Sequence, residues 1–345
     1  MVSFADVLAS NAQIPKSLPP GLVAVFTGAT TGIGSYTLKT FVKYAVEPRI
    51  YFLARNTISA RRVVDECLAI NPKAHFEIIK ADLSSVRETD RACDEVKAKE
   101  KAVNLLEMAA GEARLDRALS EEGLHYFLTT TYYTRIRVAQ NLLPLLQTAG
   151  ATSPLARVVD IAGGTKEGPV DTSDLPALKI PFSQIRGHLC SMHSLALEAL
   201  AEQAPTVSFI QDFPGSVPSQ LYDDIPGWLG YVIRLRFWVI KTLFGRWTCV
   251  PTEESGERHV YLGTSARYPP KEGDAIGVPI SKNSREPLKG VDGGFNSGQY
   301  SVDWDCEGPG ERVINVLDEL KKKGVKELVW EHTNGEFERI ISGTK

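Results

Sequence analysis

The strongest chemical signal in the chain is the run Thr27-Gly28-Ala29-Thr30-Thr31-Gly32-Ile33-Gly34. It follows a short, wholly apolar segment at residues 22–26 (LVAVF) and leads into a helical pattern, SYTLKTFVKYA. Glycines there permit a tight turn and let a pyrophosphate approach the backbone. The helix after the turn offers unpaired N–H groups and the positive end of its dipole. Spacing alone says little, since a glycine-rich turn can form with no ligand, but the strand before it and the helix after it supply the required context. A second apolar run, residues 49–53 (RIYFL), ends at Ala54-Arg55-Asn56. A carboxylate at that point would bind the ribose hydroxyls of NAD, whereas a guanidinium suits the 2′-phosphate of NADP. With Arg55 and Asn56 there and no acid, the expected cofactor is NADP(H). Metal chemistry has no comparable signal. Cys67, Cys93, Cys190, Cys249 and Cys306 are far apart and form no CxxC or Cys/His cluster, so no metal site is expected. Reduced thiols of this kind place the chain in the cytoplasm.

The elements that must position these groups can be read from periodicity. Helical spacing in ISARRVVDECLAI precedes a strand at residues 74–79, and VNLLEMA reads as a fourth strand. TTTYYTRIRVAQNLLPLL is a long helix, ARVVDIAGG a fifth strand, SMHSLALEALAEQ a helix and TVSFIQDF a sixth strand ending at Pro214-Gly215. Strands alternating with helices imply an α/β fold, a Rossmann-type doubly wound parallel sheet with helices on both faces. The proline-broken stretch 169–181 reads as a loop. Beyond Pro218 the alternation fades into an aromatic, basic segment at 228–247, a Gly/Pro-rich region at 273–310 and a charged helix, ERVINVLDELKKKG. With no clean linker, the reading is one domain over residues 1–345. Its core covers about 20–220, with residues 221–345 packed on it as a lid and C-terminal extension.

TGxxxGIG near the amino end resembles the short-chain dehydrogenase/reductase family, and further matches occur in order along the chain. Asp82-Leu83 resembles the family's adenine contact. Asn141-Leu-Leu-Pro144 and Ser194-Leu-Ala-Leu-Glu198 resemble parts of its fourth and fifth helices. Pro214-Gly215-Ser216-Val217 resembles the turn that holds the nicotinamide carboxamide. The family's NNAG turn reads here Met108-Ala109-Ala110-Gly111. The likeness, over roughly residues 20–220, implies a cofactor site of Gly28, Thr30, Thr31, Gly32, Ile33, Gly34, Arg55, Asn56, Asp82, Leu83, Gly111, Pro214, Gly215 and Val217.

Ordinary members of the family reduce a carbonyl with an Asn, Ser, Tyr and Lys set, and none of these stands in its place here. The Asn position falls on Thr131 and the Ser position on Ala162 or Gly163. The Tyr and Lys positions fall on Pro181 and Ile185, or on Phe182 and Arg186. Hydride transfer still needs a group that stabilises the developing alkoxide. Lys166 lies just past the fifth strand and could donate to an oxyanion, or it is a solvated loop lysine. Tyr132 and Tyr133 come just after the Asn position, where an aromatic also serves as packing. His188 titrates in a useful range, although a single His on a helix is also a common structural residue. Arg186 could anchor a ribose or phosphate but cannot lose its proton. Lys166, Tyr133, His188 and Arg186 are therefore the catalytic candidates.

LPPGLVAVFTG, Tyr-Tyr-x-Arg, GTKEGP and SGERHVYL together resemble a divergent branch of the family found among fungal enzymes of secondary metabolism. That resemblance implies an NADPH-dependent ketoreductase of a bulky, apolar, polyketide-type ketone with a non-standard proton donor. A non-redox cyclase, isomerase or dehydratase on the same scaffold, or an NADP-binding sensor, are the competing readings. The 345 residues are 43% apolar and 23% charged with a net charge of −3, which gives no electrostatic footprint for nucleic acid. Arg234, Arg236, Lys241 and Arg246 interrupt the segment 228–247, so it reads as a substrate lid, a packing helix or a membrane-surface contact, not a transmembrane span. Oligomeric state stays open, a homodimer being compatible.

Overall fold

The computed structural model describes residues 1–112, 116–218, 249–280 and 286–343. Its centre is a parallel sheet of β1 (Val23–Thr27), β2 (Arg49–Ala54), β3 (His75–Lys80), β4 (Leu105–Met108), β5 (Arg157–Ile161), β6 (Ser208–Phe213) and β7 (Gln299–Asp303). The strand order is β3-β2-β1-β4-β5-β6-β7. The chain runs outward from β1 to β3 and then returns to β4 on the other side of β1. That reversal opens a crevice at the carboxyl ends of β1 and β4, where doubly wound sheets place their ligands.

Why these runs form central strands is visible in their burial. Val25, Leu53, Leu106, Val158 and Phe209 enter one apolar core, while Ala24, Phe26, Phe52, Leu105, Val159 and Ile210 enter the other. Alternate residues thus face opposite sides of a sheet covered on both, which yields near-continuous apolar sequences. Helices α1 (Phe4–Asn11), α2 (Gly32–Tyr44) and α3 (Thr57–Ile70) precede α4 (Val86–Lys99), α5 (Thr134–Thr152) and α6 (Phe182–Gln203) in the chain. The last three are α7 (Thr252–Thr264), α8 (Glu311–Lys322) and α9 (Val325–Ser342). The side chain of Ser85 caps α4 and that of Asn56 caps α3, each accepting from first-turn N–H groups.

Three features depart from the sequence reading. Residues 4–11, ahead of the first expected strand, form α1, N-capped by Ser3. The long fourth helix begins as a π-turn, Thr129–Tyr133, before its α-helical part. The Gly/Pro-rich region 273–310 contains β7, which extends the sheet beside β6. Its pattern hid it: only Tyr300 and Val302 are apolar, and Gln299 and Ser301 are buried polar residues. The segment 228–247 lies outside the described residues. Among those described, no helix is long and apolar enough to cross a membrane.

Candidate functional site

The turn after β1 is built by steric necessity. Gly28 has φ +70°, and a Cβ on it would lie 2.2 Å from the Ala110 nitrogen. A Cβ on Gly34 would come within 2.7 Å of the Gly28 carbonyl oxygen. Only glycine permits this approach of α2 to the turn. Thr31, the residue before α2, makes no side-chain cap bond. No Thr31 side-chain cap therefore serves the first-turn N–H groups of α2, the kind of helix start that can accept a pyrophosphate. Thr30, Thr31, Gly32 and Ile33 all keep some solvent exposure here.

Arg55 stands at the end of β2 with 64% of its side chain exposed, 3.7 Å from a Glu112 carboxylate oxygen. Asn56 is occupied differently: its Oδ1 accepts from the N–H groups of Ile58 and Ser59 as the cap of α3. Asp82 forms a local turn, accepting through Oδ1 from the N–H and hydroxyl of Ser84. The Leu83 carbonyl accepts from Thr134. Gly215, φ +74°, comes after Pro214, and a Cβ on it would press on Trp304 and Val250 at 3.0 and 3.1 Å. Ser216 and Val217 continue that turn, with the Ser216 carbonyl accepting from the Val250 N–H.

The structure divides the catalytic candidates into two pairs. Lys166 Nζ lies 4.5 Å from the Phe213 ring centroid and the Arg186 guanidinium 4.8 Å from the same ring, beside the Pro214 turn. Lys166 also donates to Asp303 Oδ2 at 2.7 Å. A cleft of about 340 Å³ opens at this end, lined by Thr165, Lys166, Asp303, Trp304 and Arg312 among others. Tyr133 and His188 are tied up elsewhere. The Tyr133 hydroxyl is buried and 2.7 Å from His332 Nε2 on α9. His188 accepts the Asp171 N–H through Nδ1 and donates to the Leu175 carbonyl through Nε2, so it pins the loop 169–181. Burial pushes its pKa below the ordinary histidine value, which keeps the ring neutral.

At the family's remaining positions the structure is equally definite. Thr131 sits in the π-turn and donates to the Phe127 carbonyl. A Cβ on Gly163 would lie 2.3 Å from Cys190 Sγ, so the thiol fills the volume a side chain at 163 would need. Phe182 is 51% exposed at the start of α6. Among the described residues no His, Cys, Asp and Glu group is placed to hold a metal ion.

Sequence reasoning missed a buried charged cluster beneath the strand ends. Arg135, on α5, donates to the carbonyls of Met108 (3.2 Å), Ala110 (2.8 Å) and Ile161 (2.6 Å) and to Asp160 Oδ1 (2.7 Å). His193 Nδ1 lies 2.6 Å from Asp160 Oδ2. Burial pushes the Asp160 carboxyl up, but the neighbouring His193 and Arg135 outweigh it and hold it below its ordinary value. On the opposite face, Glu107 is fully buried, and burial drives its pKa up to about 8. The signal for both acids was present in the sequence, since a carboxylate interrupts each of the apolar runs LLEM and VVDI.

A dinucleotide-binding α/β fold with a glycine turn at its switch point defines the class. The short chain dehydrogenase family model matches residues 22–166. An oxidoreductase of Emericella nidulans is 36% identical over 99% of this chain and 99% of its own length. A short-chain dehydrogenase/reductase of Stachybotrys chartarum is 30% identical, covering 96% of each chain. Among solved structures, a short-chain type dehydrogenase/reductase from Mycobacterium marinum superposes with a TM-score of 0.55 at 16% identity, covering 74% of this chain and 91% of its own. An NADPH-bound carbonyl reductase from chicken fatty liver gives 0.52 at 14% identity, covering 84% and 99%. The chain belongs to the short-chain dehydrogenase/reductase family.

Proposed function

We propose that this protein is an NADPH-dependent ketoreductase acting on a bulky, apolar, polyketide-type ketone in fungal secondary metabolism. The observation that carries the cofactor half of this reading is the Gly28–Gly34 turn under the uncapped start of α2, with Arg55 at the neighbouring strand end. Bound NADPH would supply a hydride to the carbonyl carbon. Gly28, Thr30, Thr31, Gly32, Ile33 and Gly34 would hold its pyrophosphate, and Arg55 the 2′-phosphate. Asp82 and Leu83 would meet the adenine, and Gly111, Pro214, Gly215 and Val217 the nicotinamide half. Asn56 would contribute through the capped start of α3. The proton donor is non-standard, because the volume beside Gly163 belongs to Cys190 and no Tyr begins α6. Lys166 and Arg186, both against Phe213, would stabilise the alkoxide. Among the described residues no disulfide joins the cysteines, which suits the reducing cytoplasm.

The exposed Arg55–Glu112 pair is worth little by itself, so the guanidinium can turn to a phosphate. Arg55→Ala should weaken NADPH binding by about 1.5–3 kcal/mol, roughly ten- to hundredfold by titration calorimetry. Glu112→Gln, which removes a competing anion, should tighten it a few-fold. Equal affinity of the Arg55 variant and the parent would refute the 2′-phosphate assignment.

The same filled Gly163 site favours a second reading, in which the pocket orients its substrate for cyclisation or isomerisation without redox chemistry. NADPH absorbance and product mass, measured with a panel of β-keto amides and polyketide ketones, separate the two. Cofactor bound but not oxidised, with a product of unchanged mass, would exclude the reductase.

A further inference from the structure

We propose that Arg135 is a positioning residue for the nicotinamide half of the cofactor, an inference that rests on the dinucleotide reading above. Arg135 is 5% exposed, and its guanidinium joins the carboxyl ends of two adjacent strands. Nε and Nη2 donate to the Ala110 carbonyl beyond β4, and Nη1 donates to Met108 on β4 and Ile161 on β5. Chain carbonyls at strand ends lack the next rung of the ladder, and a buried one needs a donor. A guanidinium presents five N–H donors in a fixed plane. A lysine in its place would have three donors at a single point.

The cost of burying that cation is met locally. Asp160 is fully buried, with Oδ1 on Arg135 and Oδ2 beside His193. Tyr132 packs edge-on against the His193 ring at 5.1 Å, and its hydroxyl lies 2.7 Å from that of Thr333 on α9. The cluster is thus anchored from β5, α5, α6 and α9, and Arg135 cannot swing away.

What the guanidinium supports decides its role. A Cβ on Gly111 would lie 3.2 Å from Arg135 Nη2 and 3.3 Å from the Thr131 methyl, so the Gly111 backbone rests directly on this side chain. Across the strand ends, Arg55 marks the adenine side just after β2, and Pro214 marks the nicotinamide side after β6. Arg135 ties β4 to β5, between the glycine turn and Pro214. Its loss would release Gly111 and the end of β5 while leaving β1 and β2 paired with each other.

The test compares two ligands on the full chain by titration calorimetry. NADPH spans the whole crevice, whereas adenosine 2′,5′-bisphosphate carries the adenine and 2′-phosphate but no nicotinamide. Arg135→Gln should weaken NADPH by about tenfold or more while changing the bisphosphate by less than about twofold. The fluorescence of bound NADPH should shift toward that of the free cofactor, and Arg135→Lys should give intermediate values. Because Arg135→Gln strands a buried carboxylate, Arg135→Gln/Asp160→Asn serves as a charge-balanced companion with the same expected split. Equal loss of both ligands, or loss of neither, would overturn the positioning role. A parent that binds neither ligand would remove the cofactor reading itself.

Discussion

Two buried side chains set the limits of what the site can become. Cys190 Sγ occupies the space beside Gly163, and burial pushes its thiol up to about 12, so it is a neutral packing group at ordinary pH. Gly163→Ser should therefore overpack the site and cost about 1–3 kcal/mol. Adding Cys190→Ala should recover much of that loss, a favourable coupling of about 1 kcal/mol in a double-mutant cycle of denaturant melts. Strict additivity would mean that the two positions do not compete for one volume. Glu107 makes a pH prediction. Burial raises its pKa from the ordinary 4.5 to about 8, with Asp212 and Asp160 adding to the rise and His259 opposing it. The folded state thus holds a proton that the unfolded chain releases. The resulting stability is complete below the unfolded value and is lost as pH rises through about 8. His259 and Asp212, also raised, have the same sign. Denaturant midpoints should fall between about pH 5 and about pH 9, and Glu107→Gln should flatten the fall. An unchanged slope in the variant would assign the dependence to other groups.

At the scale of elements, α7 holds the helix after the glycine turn in place. Gly256 is where it crosses α2, since a Cβ there would lie 2.5 Å from Thr40 Oγ1 and 2.8 Å from the Tyr36 carbonyl oxygen. Glu257, 1% exposed, accepts from Lys43 and Tyr44 on α2 and from Asn11 on α1. Two residues on, His259 places Nδ1 2.6 Å from the Ser255 carbonyl and Nε2 2.9 Å from Asp212, two acceptors that suit the doubly protonated ring. One short segment of sequence, SGERH, therefore connects α1, the helix after the glycine turn and the strand that leads to Pro214. Glu257→Ala should cost about 2–3 kcal/mol, because Asn11 loses a buried partner and three groups lose charge-assisted bonds. Thermal melts with and without NADPH would show whether the helices come apart. A loss under about 0.5 kcal/mol would mean that apolar packing alone holds α7 to α2.

Across the whole molecule, the two C-terminal helices close over one face of the sheet. Val313, Leu317 and Leu320 of α8 and Val325, Val329, Phe337 and Ile340 of α9 are buried in the same apolar core as β4 and β5. Arg312 donates to the Thr165 and Glu167 carbonyls, and Arg87 of α4 to the Ile340 carbonyl, so α8 is also joined to the loop after β5 and α9 to α4. Ending the chain after Gly310 would uncover that face, at roughly 1.5–3 kcal/mol for each large apolar side chain exposed. The shortened protein should be unfolded or aggregated by circular dichroism and gel filtration. A shortened protein that stays monomeric and folded would show that α8 and α9 are an appendage.

The local rules written into the chain were enough for the glycine turn, the alternation of strands and helices and the family. Each depends on short-range sterics or on a period repeated within one element. Gly28 takes φ +70° and a Cβ on Gly34 would meet the Gly28 carbonyl, so both are glycine for local reasons, and buried parallel strands must read as apolar runs. The meeting of Arg135, Asp160 and His193, the entry of Gln299–Asp303 into the sheet and the filling of the Gly163 site by Cys190 were decided only by the tertiary structure. Each brings together groups far apart in the chain. A charge or a polar strand can be buried only when a distant partner arrives to satisfy it, and no period in the sequence encodes that meeting.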